Sequence, residues 1–247
     1  MLPDFFRSSV QTFLGFRSMK RKSGESRPSS INLACPLCQT GSVLFFSDAR
    51  EYWLCETCRL IFVPPLFHIT SEKEVDRYLE HENSLENEGY VNMFRAKINL
   101  VREACPKIGK ILDYGCGYEP VLKTLLSREG YQVDAFDPNF FPDGKSRKHY
   151  DMVISTEAFE HFREPSIEIE RILGLLDGKG YIAVMTQFYP RENGSPSPSA
   201  FEKWYYKRDP SHIAFYTPET FEWIAHTSDM DIILNNEKDF VIFRQHS

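Results

Sequence analysis

Residues 111–120, ILDYGCGYEP, constrain the fold of this chain more than any other stretch. Two aliphatic residues lead into Asp113, and Gly115 and Gly117 follow at alternate positions. The apolar residues before this turn predict a buried strand, and those after it predict a helix. Glycine adopts positive φ at no steric cost and lets a ligand approach the backbone. The stretch therefore predicts a strand–turn–helix unit whose turn binds a ligand.

Strand and helix patterns alternate through the rest of the second half. The predicted strands are Lys110–Tyr114, Gln132–Phe136, Asp151–Ser155 and Tyr181–Gln187, with a closing hairpin of Met230–Leu234 and Asp239–Phe243. The predicted helices are Ser71–His81, Tyr90–Glu103, Pro120–Glu129, Pro165–Leu176 and Pro218–Ala225. Such alternation predicts an α/β, Rossmann-like fold, with a mostly parallel sheet and helices on both faces. The short connection between Asp137 and Asp151 leaves little room for a further helix and strand, so we expect six full strands.

A second acidic residue strengthens the prediction of a ligand-binding turn. Asp137 ends the predicted strand that follows the glycine turn, in the stretch VDAFDP. An acid at such a position can hold both hydroxyls of a ribose. Asp113, Gly115, Gly117 and Asp137 are therefore the candidate cofactor-binding residues.

Four of the six cysteines form two Cys-x-x-Cys pairs, Cys35 with Cys38 and Cys55 with Cys58. Two such turns can present four thiolates to one tetrahedral ion, and the spacing is typical of a zinc ribbon. Disulfides or a redox pair are the alternatives, and two pairs without a recognisable secretory signal favour zinc. Because four thiolates leave no open position for a substrate, we expect a structural Zn²⁺.

Charge is distributed unevenly along the chain. Residues 1–30 carry six basic and two acidic side chains, whereas the whole chain has a formal net charge of −6. We predict that 1–30 is a disordered, basic, serine-rich leader; organelle targeting is the alternative to a cytoplasmic location. No apolar run is long enough to span a membrane. The remaining boundaries are predicted as a zinc ribbon at 31–64, a helical connector at 65–105 and the Rossmann-like domain at 106–247.

Glu157, Glu160 and His161 come directly after the strand predicted at Asp151–Ser155, and His212 comes later. If the loop is helical, the first three share one face. Ligands of open α/β sheets bind at this edge. Two roles follow from the residues themselves: they orient the loop, or they supply a base. A histidine titrates near neutral pH, which suits a base.

Residues 188–211 form a long insertion before the last predicted helix. Proline and serine dominate its start, and Trp204, Tyr205 and Tyr206 lie near its end. A mobile segment at this position can act as a lid over a substrate, and a loop anchored by its aromatic side chains is the alternative.

Several motifs resemble those of class I S-adenosylmethionine-dependent methyltransferases over residues 106–247. They are LDYGCG, AFDP, YDMVISTEAFEHFREP, RILGLLDGKGYIAVMT and DPSHIAFYTPETFEWIA. The resemblance implies that Asp113 and the two glycines hold the methionine end of the cofactor and that Asp137 holds its ribose. Glu119 stands where many members have a third glycine.

The pattern Glu-x-x-Glu-His with a distant histidine resembles two kinds of site in that superfamily. One is the divalent-metal site of small-RNA 3′-terminal 2′-O-methyltransferases; ubiquinone-pathway O-methyltransferases share the Glu-His pair. The other is the base of sugar C-methyltransferases that carry an N-terminal zinc module. The resemblance thus implies either a metal or a base at Glu157, Glu160, His161 and His212.

These observations predict a methyltransferase enzyme that acts on a small-molecule acceptor. Two alternatives are an RNA methyltransferase that uses the ribbon to bind its substrate and a non-catalytic, cofactor-binding scaffold. The acidic balance outside the leader is unfavourable for binding a phosphate backbone. The presence of both Asp113 and Asp137 argues against a scaffold.

Overall fold

The computed structural model describes residues 32–80, 83–144 and 149–246. The predicted leader at 1–30 and the predicted helix end at His81 lie outside these residues. None of the helices in the described part is long and apolar enough to cross a membrane.

A first sheet is built around the four cysteines. Its first four strands are β1 (Leu33–Ala34), β2 (Gly41–Ser47), β3 (Glu51–Cys55) and β4 (Ile61–Phe62). Two helices follow, α1 (Ser71–Leu79) and α2 (Glu88–Ala104). Thr70 caps the start of α1 and Asn87 caps the start of α2, because each side-chain oxygen accepts a bond from a backbone N–H three residues later.

The second half contains the larger sheet and its helices. Its first elements are β5 (Lys110–Tyr114), α3 (Val121–Arg128), β6 (Gln132–Phe136), β7 (Tyr150–Thr156), α4 (Pro165–Leu173) and β8 (Leu176–Met185). The inserted segment holds β9 (Arg191–Glu192), β10 (Ser195–Pro196) and α5 (Pro198–Lys203). The last elements are β11 (Ala214–Phe215), α6 (Pro218–Thr227), β12 (Met230–Asn235) and β13 (Phe240–Gln245).

The larger sheet has six strands in the order β12-β13-β8-β7-β5-β6. The four strands β6, β5, β7 and β8 are parallel. Strand β13 is antiparallel to its neighbour β8, and β12 is antiparallel to β13. The prediction of six strands is confirmed for the described residues. β8 begins earlier than predicted, at Leu176, because the stretch DGKG continues the strand through an irregularity in its pairing with β7. Glycine within a strand is typical of such an irregularity.

Helices cover both faces of this sheet, as predicted. On one face α4 and α6 pack against alternate strand residues such as Leu112 and Val153. On the other face α2 and α3 pack against the intervening residues such as Ile111 and Met152. Because successive side chains of a strand point to opposite faces, both faces are apolar and the strands are buried.

The cysteine-rich sheet takes its fifth strand from the second half of the chain. Ala214 of β11 pairs with Phe62 of β4, and Phe215 pairs with Ile61. One face of this sheet continues the core that contains α4 and α6. The inserted segment covers the other face, where Phe201 is fully buried against Phe45 and Tyr52. The insertion is therefore anchored by aromatic residues, one of the two predicted alternatives.

Candidate active site

The glycine turn lies at the carboxyl end of β5. Gly115 has φ of +80°, and a Cβ at this position would lie 2.5 Å from the Cβ of Ala158. Gly117 has φ of +68°, and apart from this residue and its two chain neighbours no atom of the described residues lies within 4 Å of the position of its Cβ. Gly115 is thus required for packing, whereas Gly117 borders open space that a ligand can occupy.

Asp113 is buried beneath this turn, with 1% of its surface exposed. One carboxylate oxygen accepts a hydrogen bond from the backbone N–H of Lys123 at 3.2 Å, and Oδ1 has no hydrogen-bond partner among the described residues. Burial raises the pKa of Asp113 to about 7. A small cavity of about 40 Å³, bordered also by Tyr90 and Thr156, lies beside it. A cationic or hydrogen-donating group in this cavity would satisfy the buried carboxylate.

Asp137 follows the end of β6, beside the same turn. Its Oδ2 accepts a bond from the N–H of Gly117 at 3.1 Å, and its Oδ1 accepts bonds from Asn139 and Phe140. It borders a cavity of about 430 Å³ together with Gly115 and Gly117. The four predicted cofactor residues therefore lie around one strand edge, where they combine an open stretch of backbone with two carboxylates.

A second cavity of about 490 Å³ adjoins the first. Its walls come from α1, α2, the turn after β7 and the inserted segment. The residues that line it are Arg77, Tyr78, Asn83, Tyr90, Met93, Glu157, Glu160, His161, Gln187, Tyr205, Tyr206, Arg208, Asp209 and His212. Tyr78, Glu157 and His161 border both cavities. The two cavities thus meet at the residues that follow β7.

Glu160 is buried and Glu157 is partly buried, and both contact the hydroxyl of Tyr206. Tyr206 donates a hydrogen bond to Glu160 and lies 3.1 Å from a carboxylate oxygen of Glu157. Burial and the neighbouring Glu160 raise the pKa of Glu157 well above its usual range. Burial also raises the pKa of Glu160, but the charge of His212 and the bond from Tyr206 oppose this shift. Both carboxyls therefore keep a proton more readily than a solvent-exposed glutamate does.

The two histidines are each oriented by a backbone carbonyl. Nδ1 of His161 donates to the carbonyl of Ser211 at 3.1 Å, and Nδ1 of His212 donates to the carbonyl of Tyr206 at 2.8 Å. A carbonyl can only accept, so in the neutral ring the lone pair lies on Nε2. The two rings are in contact, with their centroids 4.9 Å apart.

Glu160, His161 and His212 form a tight group of ligand-type atoms. One such atom from each side chain lies within 4.8 Å of the others. The second oxygen of Glu160 is buried and has no hydrogen-bond partner among the described residues. Glu157 lies outside this group of three. The turn that carries Glu160 and His161 is a single 3₁₀ turn, Phe159–His161, and not the longer helix considered above, and Glu157 precedes it with φ of +50°.

The four predicted zinc ligands also lie together. Their sulfur atoms are within 4.8 Å of one another, with Cys35 and Cys58 3.5 Å apart and Cys38 and Cys55 3.3 Å apart. These distances exceed the ~2.03 Å of a disulfide. They resemble the separation expected when four sulfurs surround one ion at about 2.3 Å.

The two cysteine turns have the same backbone geometry. The N–H of Cys35 bonds to the carbonyl of Thr40, and the N–H of Cys55 bonds to that of Leu60. The residue after the second cysteine, Gln39 in one turn and Arg59 in the other, has φ of 62° and 63° respectively. Two equal turns of this kind direct their sulfur atoms to one point.

Two tyrosines that the sequence did not single out as functional complete the site. Tyr206 was noted only as part of an aromatic group, and its hydroxyl bridges Glu157 and Glu160. The ring of Tyr78, in α1, packs edge-on against His161 with centroids 5.1 Å apart. No spacing relates these residues to the turn after β7, because they come from segments that only the fold brings together.

A comparison of the sequence with known families gives one match that covers most of the chain. A family model described as a methyltransferase domain matches residues 67–235. The comparison with curated proteins gives no match.

Solved structures of methyltransferases are similar to parts of the chain. Magnesium protoporphyrin IX methyltransferase from Synechocystis is 13% identical with a TM-score of 0.45, covering 72% of this chain and 95% of that one. An amino pentose methyltransferase from Micromonospora echinaspora is 12% identical with a TM-score of 0.43, covering 72% and 98%. A SAM-dependent methyltransferase from Archaeoglobus fulgidus is 18% identical with a TM-score of 0.45, covering 63% and 94%.

Proposed function

Because this chain belongs to the methyltransferase domain family whose model it matches, we propose that its two adjoining cavities are the two halves of one methyl-transfer site. The 430 Å³ cavity takes S-adenosylmethionine and the 490 Å³ cavity takes the acceptor. The observation that carries this proposal is their meeting at Tyr78, Glu157 and His161. Methyl transfer requires the donor and acceptor to be held close and in line, which a junction of two cavities provides.

The residues of the glycine turn would hold the cofactor. Asp113, with its unpartnered oxygen, would bind the cationic amino group, and Asp137 would bind the ribose hydroxyls. Gly117 leaves room for close approach of the ligand. S-adenosylmethionine supplies an electrophilic methyl group on its sulfonium, so the protein's own task is to orient the acceptor and manage its proton.

Direct binding is the first test. We expect calorimetry to detect one cofactor site per chain for S-adenosylmethionine and for S-adenosylhomocysteine. Absence of binding for both compounds in folded protein would exclude a methyltransferase site here.

A small molecule is the acceptor class that the second cavity fits best. Pockets for such ligands have volumes of about 300–1,000 Å³ and combine aromatic walls with a few polar groups. Here Tyr78, Tyr90 and Tyr205 provide aromatic surface, and Gln187 and Asp209 provide polar groups. The test is incubation with methyl-labelled cofactor and either a metabolite extract or total RNA. Label transferred to RNA alone would overturn this choice.

A divalent metal at Glu160, His161 and His212 is the second part of the proposal. The supporting observation is that a backbone carbonyl fixes Nδ1 of each histidine, which is how ligating imidazoles are usually oriented. A metal bound there would act as a Lewis acid on an acceptor oxygen. His161 acting as a base is the competing role, and loss of turnover on mild chelation separates the two.

The four cysteines are proposed to hold one structural zinc. Their equal turns and mutual sulfur distances support this, and four thiolates complete a tetrahedral coordination sphere. Elemental analysis of freshly purified, reduced protein is expected to give one zinc per chain. Folded protein with far less metal would refute the assignment.

A further inference from the structure

Arg50 lies at the turn between β2 and β3, within the cysteine-rich sheet, and borders neither of the two cavities. Its guanidinium reaches the segment 206–212, which carries Tyr206 and His212. No motif in the sequence relates the two regions. The contact therefore joins the cysteine-rich sheet directly to the wall of the acceptor cavity.

The guanidinium uses all of its hydrogen-bond donors. An arginine has five N–H groups. Nε donates to the hydroxyl of Tyr52 at 3.3 Å. The other four bonds go to backbone carbonyls, those of Lys207, Asp209, Pro210 and His212. Such a complete set of charge-assisted bonds is specific to the planar fork of arginine, and a lysine has only three donors.

Six of the seven backbone carbonyls in segment 206–212 accept side-chain hydrogen bonds, in two groups. Those of Lys207, Asp209, Pro210 and His212 accept bonds from Arg50. Those of Tyr206 and Ser211 lie between or beside them and accept the Nδ1 protons of the two histidines. A backbone that is held at four points cannot rotate its remaining carbonyls freely, so the Arg50 contacts also fix the orientation of both imidazoles.

A second contact reinforces the first. Lys207, which is buried, forms an ion pair with Asp48 of the same β2–β3 turn. At the other end of the segment, the N–H of Ile213 bonds to the carbonyl of Glu160 at 2.8 Å. The segment is thus held between the cysteine-rich sheet and the turn that carries Glu160 and His161.

We propose that Arg50 is a positioning residue through which the cysteine-rich sheet sets the orientation and tautomer of His161 and His212. The inference rests on the proposed methyltransferase site, because it assigns those histidines to its machinery. It gives the cysteine-rich sheet a role in the site without any contact between that sheet and a substrate.

The test uses the full-length, zinc-loaded protein in three variants. Arg50→Ala removes the contacts, Arg50→Lys keeps the charge with fewer donors, and Arg95→Ala is a matched control at an exposed arginine of α2. Hydrogen exchange reports on three backbone amides in or next to this segment. The amides of Arg208, His212 and Ile213 donate hydrogen bonds to the carbonyls of Tyr205, Asp209 and Glu160 respectively. Nitrogen-15 spectra of labelled histidine report which ring nitrogen carries the proton.

For Arg50→Ala we expect exchange of these amides to accelerate at least about tenfold, as the loss of charge-assisted bonds requires. The nitrogen shifts of His161 and His212 should move from one fixed tautomer to a mixture, a change that a general loss of stability would not cause. Arg50→Lys should give an intermediate result, and Arg95→Ala should match the wild type in both measurements.

Wild-type exchange and nitrogen shifts in Arg50→Ala would overturn the proposal. If that variant does not fold, Arg50→Lys decides, because wild-type behaviour with lysine would show that the five-donor set is not needed. Calorimetry with S-adenosylhomocysteine separates this outcome from failure of the proposed function. A wild-type protein that does not bind it refutes the function, whereas normal binding with unchanged histidines refutes only the role of Arg50.

Discussion

The four cysteines and the group Glu160, His161 and His212 are both tight clusters of ligand-type side chains, but the chain builds them differently. The cysteine cluster comes from two equal local turns, each formed by six consecutive residues. The second cluster joins two neighbours on a 3₁₀ turn to a histidine from a distant segment. A local cluster depends on its own turns, whereas a distant one depends on whatever holds its segments in place.

The two clusters also differ in what surrounds them. Cys35, Cys55 and Cys58 are fully buried, and four thiolates would complete the coordination of an ion. Glu160, His161 and His212 line a cavity of about 490 Å³, and three ligands leave positions open. A closed coordination sphere is typical of a structural ion, whereas a coordination sphere with an open position is typical of a catalytic ion. Substitutions in the two clusters should therefore have different consequences.

Cys58→Ser should abolish zinc binding and remove most of the stability of the fold. Binding energy at such sites is folding energy, so the expected loss approaches the total unfolding free energy of a domain, about 5–15 kcal/mol. Thermal unfolding and elemental analysis measure both effects. Cys105→Ala, at a buried cysteine outside the cluster, should cost only about 1 kcal/mol and keep the zinc. Equal losses of stability and zinc in Cys58→Ser and Cys105→Ala would contradict a structural ion at the four cysteines.

His161→Ala should lower turnover at least about 100-fold, the usual size of an acid–base contribution, while cofactor binding persists. Turnover is followed with methyl-labelled cofactor and the metabolite extract that contains the acceptor. His246→Ala, at an exposed histidine near the end of the chain, is the control. Full activity of His161→Ala would leave only a role in orienting the loop.

The Asp137→Asn variant tests whether a cofactor binds next to the group Glu160, His161 and His212. Loss of a charged hydrogen-bond acceptor costs about 1.5–3 kcal/mol, so affinity for S-adenosylhomocysteine should fall about 10- to 150-fold. The amide keeps the shape of the side chain, which spares the loop that Asp137 also bonds. Asp143→Asn, on the following exposed turn, should bind normally by calorimetry. If Asp137→Asn binds S-adenosylhomocysteine with unchanged affinity, Asp137 does not hold the ribose.

The smallest effect is a pH dependence of cofactor binding. Burial raises the pKa of Asp113 to about 7, so the ionised form that attracts a cationic amino group declines as pH falls below that value. Affinity should decrease by up to about tenfold for each pH unit below 7, until the lower pKa of the bound state is reached. Asp113→Asn should bind more weakly and lose this slope. If cofactor affinity depends on pH in Asp113→Asn as it does in the wild type, another group causes the dependence.

Much of the fold was predictable because local patterns determine it. The bounds of β5 and β6 match the predicted strands, since each is a short stretch with apolar residues that is closed by a turn. β11 was not predicted, because two residues carry no periodicity and their pairing with β4 depends on the whole fold. The early start of β8 was missed because DGKG has the composition of a turn.

The candidate site was predictable to the extent that it follows strand ends. Asp113, Asp137 and Glu160 all lie at or just beyond the carboxyl ends of parallel strands, so the topology groups them. Tyr206 and Arg50 were missed, because the first reaches the site on an insertion and the second acts through backbone carbonyls. Every residue has a backbone carbonyl, so the sequence does not show which carbonyls accept hydrogen bonds from Arg50.

The pairing of β11 with β4 has a consequence for the order in which the chain matures during synthesis. Phe62 leaves the ribosome long before its partner Ala214, and at about 5–20 residues per second the interval is on the order of 10–30 s. Throughout that time β4, at one edge of the cysteine-rich sheet, has no partner strand on its outer side, although all four cysteines have been synthesised. If the four cysteines bind zinc as proposed, the nascent chain can bind the ion before the sheet is complete, and the ion would then hold β1–β4 in register until β11 pairs with β4.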